Sequence, residues 1–166
     1  MKLIVCALAD LDVQARLHSP AGVVSLLNPD QSAASIPGDP PRLVLRFNDI
    51  AAPRDRLTAP SLDVIERLLA FAEAAPADGV LLLHCWMGIS RSPAAAFILA
   101  CARNPSRSEA QIAAVLRHVA PSATPNPLMV RLADEHLGRR GCMNAAIASI
   151  GRGMDAAMGA PFAFEA

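Results

Sequence analysis

Lysine is almost missing from this chain: Lys2 is the only one, and the other cations among its 15 basic residues are arginines. Fifteen acidic residues bring the formal net charge to zero, so no long-range field draws the molecule to nucleic acid or to an anionic membrane surface. The arginine bias points to a GC-rich bacterial genome. No run approaches the ~20 apolar residues needed to cross a bilayer, and much of the 53% apolar fraction is alanine. The apolar part of Met1 to Ala9 is short and is followed at once by Asp10 and Asp12, so it reads as a strand and not as an export signal. The cysteines, Cys6, Cys85, Cys101 and Cys142, have neither metal-ligand nor Cys-x-x-Cys spacing. That excludes a zinc site or a disulfide framework and leaves free thiols in a cytoplasmic protein. There is no internal repeat and no sustained low-complexity linker, and 166 residues suffice for one domain with a core of its own.

What is present is a strand signal early and helix signals late. Leu3 to Leu8, Val23 to Leu27 and the alternating Arg42 to Phe47 read as strands, separated by a loop over 28–41 that opens on Asn28-Pro29. After a second loop over 48–60, Pro60-Ser61 opens a helix with Leu62, Ile65, Leu68, Leu69 and Ala72 on one face. Val80 to Leu83 is apolar throughout, as in a central strand buried on both faces. Beyond it the chain reads helical: from Arg91 to about Ala102, from the capping box Ser108 to Gln111 with Ile112, Val115, Leu116 and Val119 as its stripe, from the Asn126-Pro127 cap with Leu128 and Leu132 inward, and over 142–150. This order predicts a three-layer α/β/α fold, a single central mostly parallel sheet with helices on both faces. One domain is expected over 1–150, with 151–166 as an extended or poorly ordered tail.

Between the central strand and the next helix stand His84, Cys85, Trp86, Met87, Gly88, Ile89, Ser90, Arg91 and Ser92. A helix N-terminus offers unpaired N–H groups and a partial positive charge, which together make an anion site. A loop that curls on itself adds further inward N–H groups, and Gly88 permits the turn. Arg91 supplies a planar fork for two phosphate oxygens. A cysteine in such surroundings favours its thiolate, the reactive form. Ser92 is placed to donate its hydroxyl to that sulfur, and the ring of His84 to fix the loop.

These residues resemble the His-Cys-x5-Arg-Ser/Thr signature of the cysteine-dependent protein tyrosine phosphatase superfamily, above all its dual-specificity branch and similar small bacterial phosphatases. The resemblance spans roughly residues 43–137. It implies a phosphomonoester hydrolase with Cys85 as nucleophile and Arg91 and the N–H groups of Trp86, Met87, Gly88, Ile89 and Ser90 as the phosphate site. The substrate would be a phosphorylated protein or a small phosphoester, and no metal or cofactor is required. It also implies an aspartate that protonates the leaving oxygen and later activates water. Asp49 follows a strand directly and is the better placed; Asp55 lies between Arg54 and Arg56, which would make it a weaker proton donor. Asp63 is explained as first-turn helix charge. Pro125-Asn126 is similar to a family segment whose asparagine braces the loop. The alternative is a module that binds phosphorylated partners without turnover. A rhodanese-like sulfurtransferase or an arsenate reductase fits less well, because those loops lack the full pattern and reductases need a resolving thiol, for which Cys6, Cys101 and Cys142 are the candidates.

Overall fold

The apolar runs become strands, as their composition demands. β1 (Lys2–Ala7), β2 (Gly22–Leu27), β3 (Arg42–Arg46) and β4 (Val80–Cys85) are joined by a fifth, β5 (Phe162–Glu165), in the computed structural model, which describes residues 1–166. They form one sheet in the order β3-β2-β4-β1-β5. The first four pair in parallel and β5 runs antiparallel to β1. β4 therefore lies in the middle, and its register sets Cys85 opposite Ala7 and His84 between Cys6 and Ser25. Strands buried on both faces need near-continuous apolar sequence, which β1, β2 and β4 supply.

Side chains alternate between the two faces. Leu3, Val5, Val24, Leu26, Leu81 and Leu83 join a core of 33 buried residues. It lies beneath α2 (Leu62–Ala74), α3 (Arg91–Arg103), α4 (Glu109–Val119), α5 (Pro127–His136) and α6 (Cys142–Ile150). Ile4, Cys6, Val23 and Leu82 face the other way, against Leu11 and Ala15 of the short helix α1 (Leu11–His18). The three layers are thus unequal, five helices on one side and one on the other. α3 is buried continuously from Arg91 to Cys101. Its alanines, Ala94, Ala95, Ala96 and Ala100, let it approach the sheet closely while Phe97, Ile98 and Leu99 fill the space around it.

Two local expectations are corrected. Residues 151–166 do not form a free tail: Phe162 and Phe164, 6.5 Å apart edge to face, are buried in the main core, and β5 closes the β1 edge. Leu62 is 44% exposed while Val64 is buried in its place, because Leu62 sits on the margin of the stripe in the open first turn. The residues before β2 hold α1, for which the sequence shows no clear period: only Leu11 and Ala15 are buried, and Val13 and Leu17 are exposed. Both expected caps form, that of Ser108 without the return bond from the Gln111 side chain that would complete a box. Ser108 accepts the Gln111 N–H, and Asn126 Oδ1 accepts the Met129 N–H at 2.9 Å.

Candidate active site

Residues 86–90 connect the end of β4 to the start of α3, and four of their five carbonyl groups are tied outward. Trp86 O accepts from the Leu8 N–H at 3.3 Å, Met87 O from Gly159 at 2.9 Å and Ile89 O from Thr124 at 2.8 Å. Ser90 O accepts from Ala94 at 3.0 Å and from Asn126 at 3.3 Å. All peptide bonds are trans, and in a planar trans peptide the N–H points opposite to the C=O. Tethering these four carbonyls outward therefore aims the N–H groups of Met87, Gly88, Ser90 and Arg91 to the concave side of the loop. Those of Met87, Gly88 and Ser90 donate to no other backbone group. Gly88 makes the curl possible: its φ is +69°, and a Cβ there would stand 2.8 Å from the backbone nitrogen of Ala7.

Cys85 is buried at the base of this loop, and the Ser92 hydroxyl donates to its sulfur at 3.1 Å. Arg91, 3% exposed, is held from one side. Its Nη1 donates to Asn28 Oδ1 at 2.9 Å and to Phe47 O at 3.0 Å, and the guanidinium lies 5.9 Å above the Phe47 ring. Its Nε has no partner in the protein. A buried guanidinium with spare donors is costly unless an anion meets it. Ser90 occupies the N-cap position of α3 without capping it: its hydroxyl donates to Asp49 Oδ1 at 2.7 Å, which leaves the helix N-terminus open to a ligand.

Asp49 and Asn126, distant in sequence, meet here. Asn126 Nδ2 donates to the same Asp49 Oδ1 at 2.7 Å and to Ile50 O at 3.2 Å, while the Asn126 backbone N–H supports the loop at Ser90. Both donors fall on Oδ1, and the other oxygen, Oδ2, accepts no hydrogen bond from the protein. Asp49 shares a cavity of about 490 Å³ with Cys85 and Arg91. Trp86 and Met87, 53% and 39% exposed, form its rim with Leu57, and Ile89 and Ser90 also line it. Asp55 is exposed and does not line this cavity.

The ring of His84 does not fix the loop, contrary to expectation. Its Nε2 hydrogen-bonds Ser25 Oγ on β2 at 2.7 Å, and its Nδ1 has no partner. Ser25 in turn accepts from Arg42 Nε at 2.9 Å. The β-strand period puts this side chain on the α1 face of the sheet, opposite to that of Cys85, where burial, then the charges of Arg42 and Arg91, lower its pKa to about 4, so the ring is neutral near pH 7. Asn28, Ser25 and Gly159 were not anticipated. Asn28-Pro29 was legible only as a turn, and no sequence signal marks Ser25 or Gly159. Burial pushes the Cys6 and Cys101 thiols up to about 12, reinforced by Asp10 and Cys85 at the first and by Glu109 at the second. No three His, Cys, Asp or Glu side chains converge as a set suited to a metal ion. No helix is long and apolar enough to cross a membrane.

No protein-family model matches the chain, and no curated protein matches it in sequence. Solved structures match it in fold. DUSP15 superposes with a TM-score of 0.66 at 16% identity, over 89% of each chain. Human DUSP28 gives 0.63 at 21%, over 83% of this chain and 92% of that one. The human tyrosine phosphatase-like serine/threonine/tyrosine-interacting protein gives 0.66 at 14%, with the same coverage. The fold is that of the dual-specificity phosphatases.

Proposed function

We propose that the chain is a phosphomonoester hydrolase of the protein tyrosine or dual-specificity type, working through a cysteinyl-phosphate. The observation that carries this reading is the convergence of the Cys85 sulfur, the inward N–H groups of Met87, Gly88, Ser90 and Arg91, the spare donors of Arg91 and the Asp49 carboxyl on one cavity. The Cys85 thiolate attacks phosphorus in line. The N–H groups and Arg91 hold the three equatorial oxygens, the bond to the leaving oxygen breaks, and Asp49 gives that oxygen its proton. Water then attacks the cysteinyl-phosphate, Asp49 takes up a proton of the water, and the S–P bond breaks. Ser92, already donating to the sulfur, stabilises the departing thiolate, and inorganic phosphate leaves. Fixed donors aimed at developing charge supply most of the acceleration. The substrate is a phosphorylated protein side chain or a small phosphoester. The uncharged rim of Trp86, Met87, Ile89 and Ser90 disfavours a multiply phosphorylated headgroup. Four free cysteines suit a cytoplasmic location.

Hydrolysis of p-nitrophenyl phosphate tests the reading. Cys85→Ser should abolish turnover, Asp49→Ala should slow it by roughly 10²-fold or more as expected for a lost general acid, and Asp55→Ala should leave it near the parent rate. Mass spectrometry of Asp49→Ala caught during turnover should find phosphate on the Cys85 peptide. Turnover surviving Cys85→Ser would refute the mechanism. Phosphate binding without any ester cleavage would instead favour the binding-module alternative.

A further inference from the structure

We infer that Gly159, in a C-terminal strap lying outside the phosphatase-like signature, is a positioning residue of the phosphate cradle. This inference rests on the proposed function. The strap starts where α6 ends and is fastened along its length. Arg117 donates to Ile150 O and Gly151 O, the latter at 2.8 Å. The Gly153 N–H meets Thr124 Oγ1 at 3.1 Å, and the Met154 N–H meets Pro121 O at 2.9 Å. Beyond Gly159 the chain enters β5, and the Ala166 N–H reaches Met1 O at 3.0 Å.

Between these anchors Gly159 passes directly behind Gly88. Its N–H donates to Met87 O at 2.9 Å. A Cβ on Gly159 would fall 2.6 Å from Gly88 O and 3.1 Å from Gly88 C. A Cβ on Gly88 would in turn fall 2.8 Å from Ala7 N. Gly88 thus abuts both β1 and the strap, with no room for a side chain on either glycine. The bond to Met87 O is also what turns the Gly88 N–H inward, since the two ends of a trans peptide unit point in opposite directions. The other outward tethers come from Leu8 and from Ala94, Thr124 and Asn126; the one on Met87 comes from the strap. An amide donor moved by even part of an ångström loses much of its value to an oxyanion.

The test follows alkylation of Cys85 by iodoacetamide, read on the Cys85 peptide by mass spectrometry, while inorganic phosphate is titrated as protector. In Gly159→Ala the phosphate concentration for half-protection should rise about tenfold or more, and p-nitrophenyl phosphate turnover should fall with it. Phe164→Leu loosens the same strap away from the loop, so it should lower the melting temperature and leave the phosphate midpoint unchanged. Unchanged protection in Gly159→Ala would overturn the inference, as would an equal loss in Phe164→Leu, which would make the effect one of general stability. Wild-type protein that phosphate does not protect would overturn the proposed function itself, and the role of Gly159 with it.

Discussion

Arg91 and His84 flank the nucleophile in opposite chemical states. Arg91 is a buried cation with no carboxylate paired to it, held by the neutral oxygens of Asn28 and Phe47. His84 is a buried base kept uncharged by desolvation and, after it, by the Arg42 and Arg91 guanidinium groups. The neutral ring has a consequence for stability. The unfolded chain takes up a proton on His84 near pH 6.5, whereas the folded protein resists it down to about 4. Stability linked to this residue is therefore intact above pH 6.5 and drains away as the pH falls toward 4, where the folded state also protonates. At about 1.4 kcal/mol per pH unit the full loss is roughly 3 kcal/mol. Denaturant titrations at a series of pH values should show this acid limb in the wild type, and His84→Gln should flatten it by that amount. An acid limb identical in the two proteins would show that the ring is not the group responsible. Cys85, Arg91 and Ser92 could be singled out from sequence because all three lie within one strand–loop–helix passage. The partners that fix them could not: Asn28 stands 63 residues from Arg91 and Ser25 stands 59 from His84, joined only by strand order.

At the level of elements, the site depends on the N-terminus of α3 being left uncapped and that of α5 being capped. Ser90 has the residue type of a cap but spends its hydroxyl on Asp49. Asn126 does both jobs, Oδ1 capping α5 and Nδ2 holding Asp49. The Asn-Pro pair announced the cap, and the family resemblance announced a brace for the loop, but the contact with Asp49 spans 77 residues and arises from packing alone. Asn126→Ala should therefore show two separable effects. Loss of the cap should cost about 1 kcal/mol in chemical denaturation. Loss of the donor on Asp49 should slow hydrolysis of alkyl phosphates, whose leaving oxygen needs the proton, by roughly tenfold, a fraction of what a general acid contributes. Hydrolysis of p-nitrophenyl phosphate, with its better leaving group, should fall less. Equal slowing of both substrates would mean that Asn126 acts on the loop and not through Asp49. α1 is not legible in the sequence: with two buried residues in eight it carries little periodic signal, and tertiary contact with Ile4, Cys6, Val23 and Leu82 holds it in place.

Across the whole molecule, the sheet and the main helical layer follow from the pattern of apolar runs, and the largest departure is at the C-terminus. Residues 151–166 are rich in small residues, so neither a helical nor a strand period stands out, and the exposed Met154 and Met158 obscure the short alternation of Phe162 and Phe164. What decides their structure is a non-local fact, the unpaired outer edge of β1, which β5 covers in antiparallel register from Lys2–Glu165 to Val5–Phe162. An open strand edge invites pairing with other chains, and the two phenylalanines bury apolar area that the domain would otherwise lack. If the strap were an appendage, truncating its aromatic side chains would matter little, because surface substitutions usually stay within about 0.5 kcal/mol. As a core strand it should behave like other buried aromatic positions. Phe164→Ala should lower the unfolding free energy by about 3–5 kcal/mol, seen as an earlier midpoint in urea with little change in slope. A loss below about 1 kcal/mol would show that β5 docks too weakly to serve as part of the fold, and the backing it gives to the loop through Gly159 would then be the weakest of the tethers that aim the cradle.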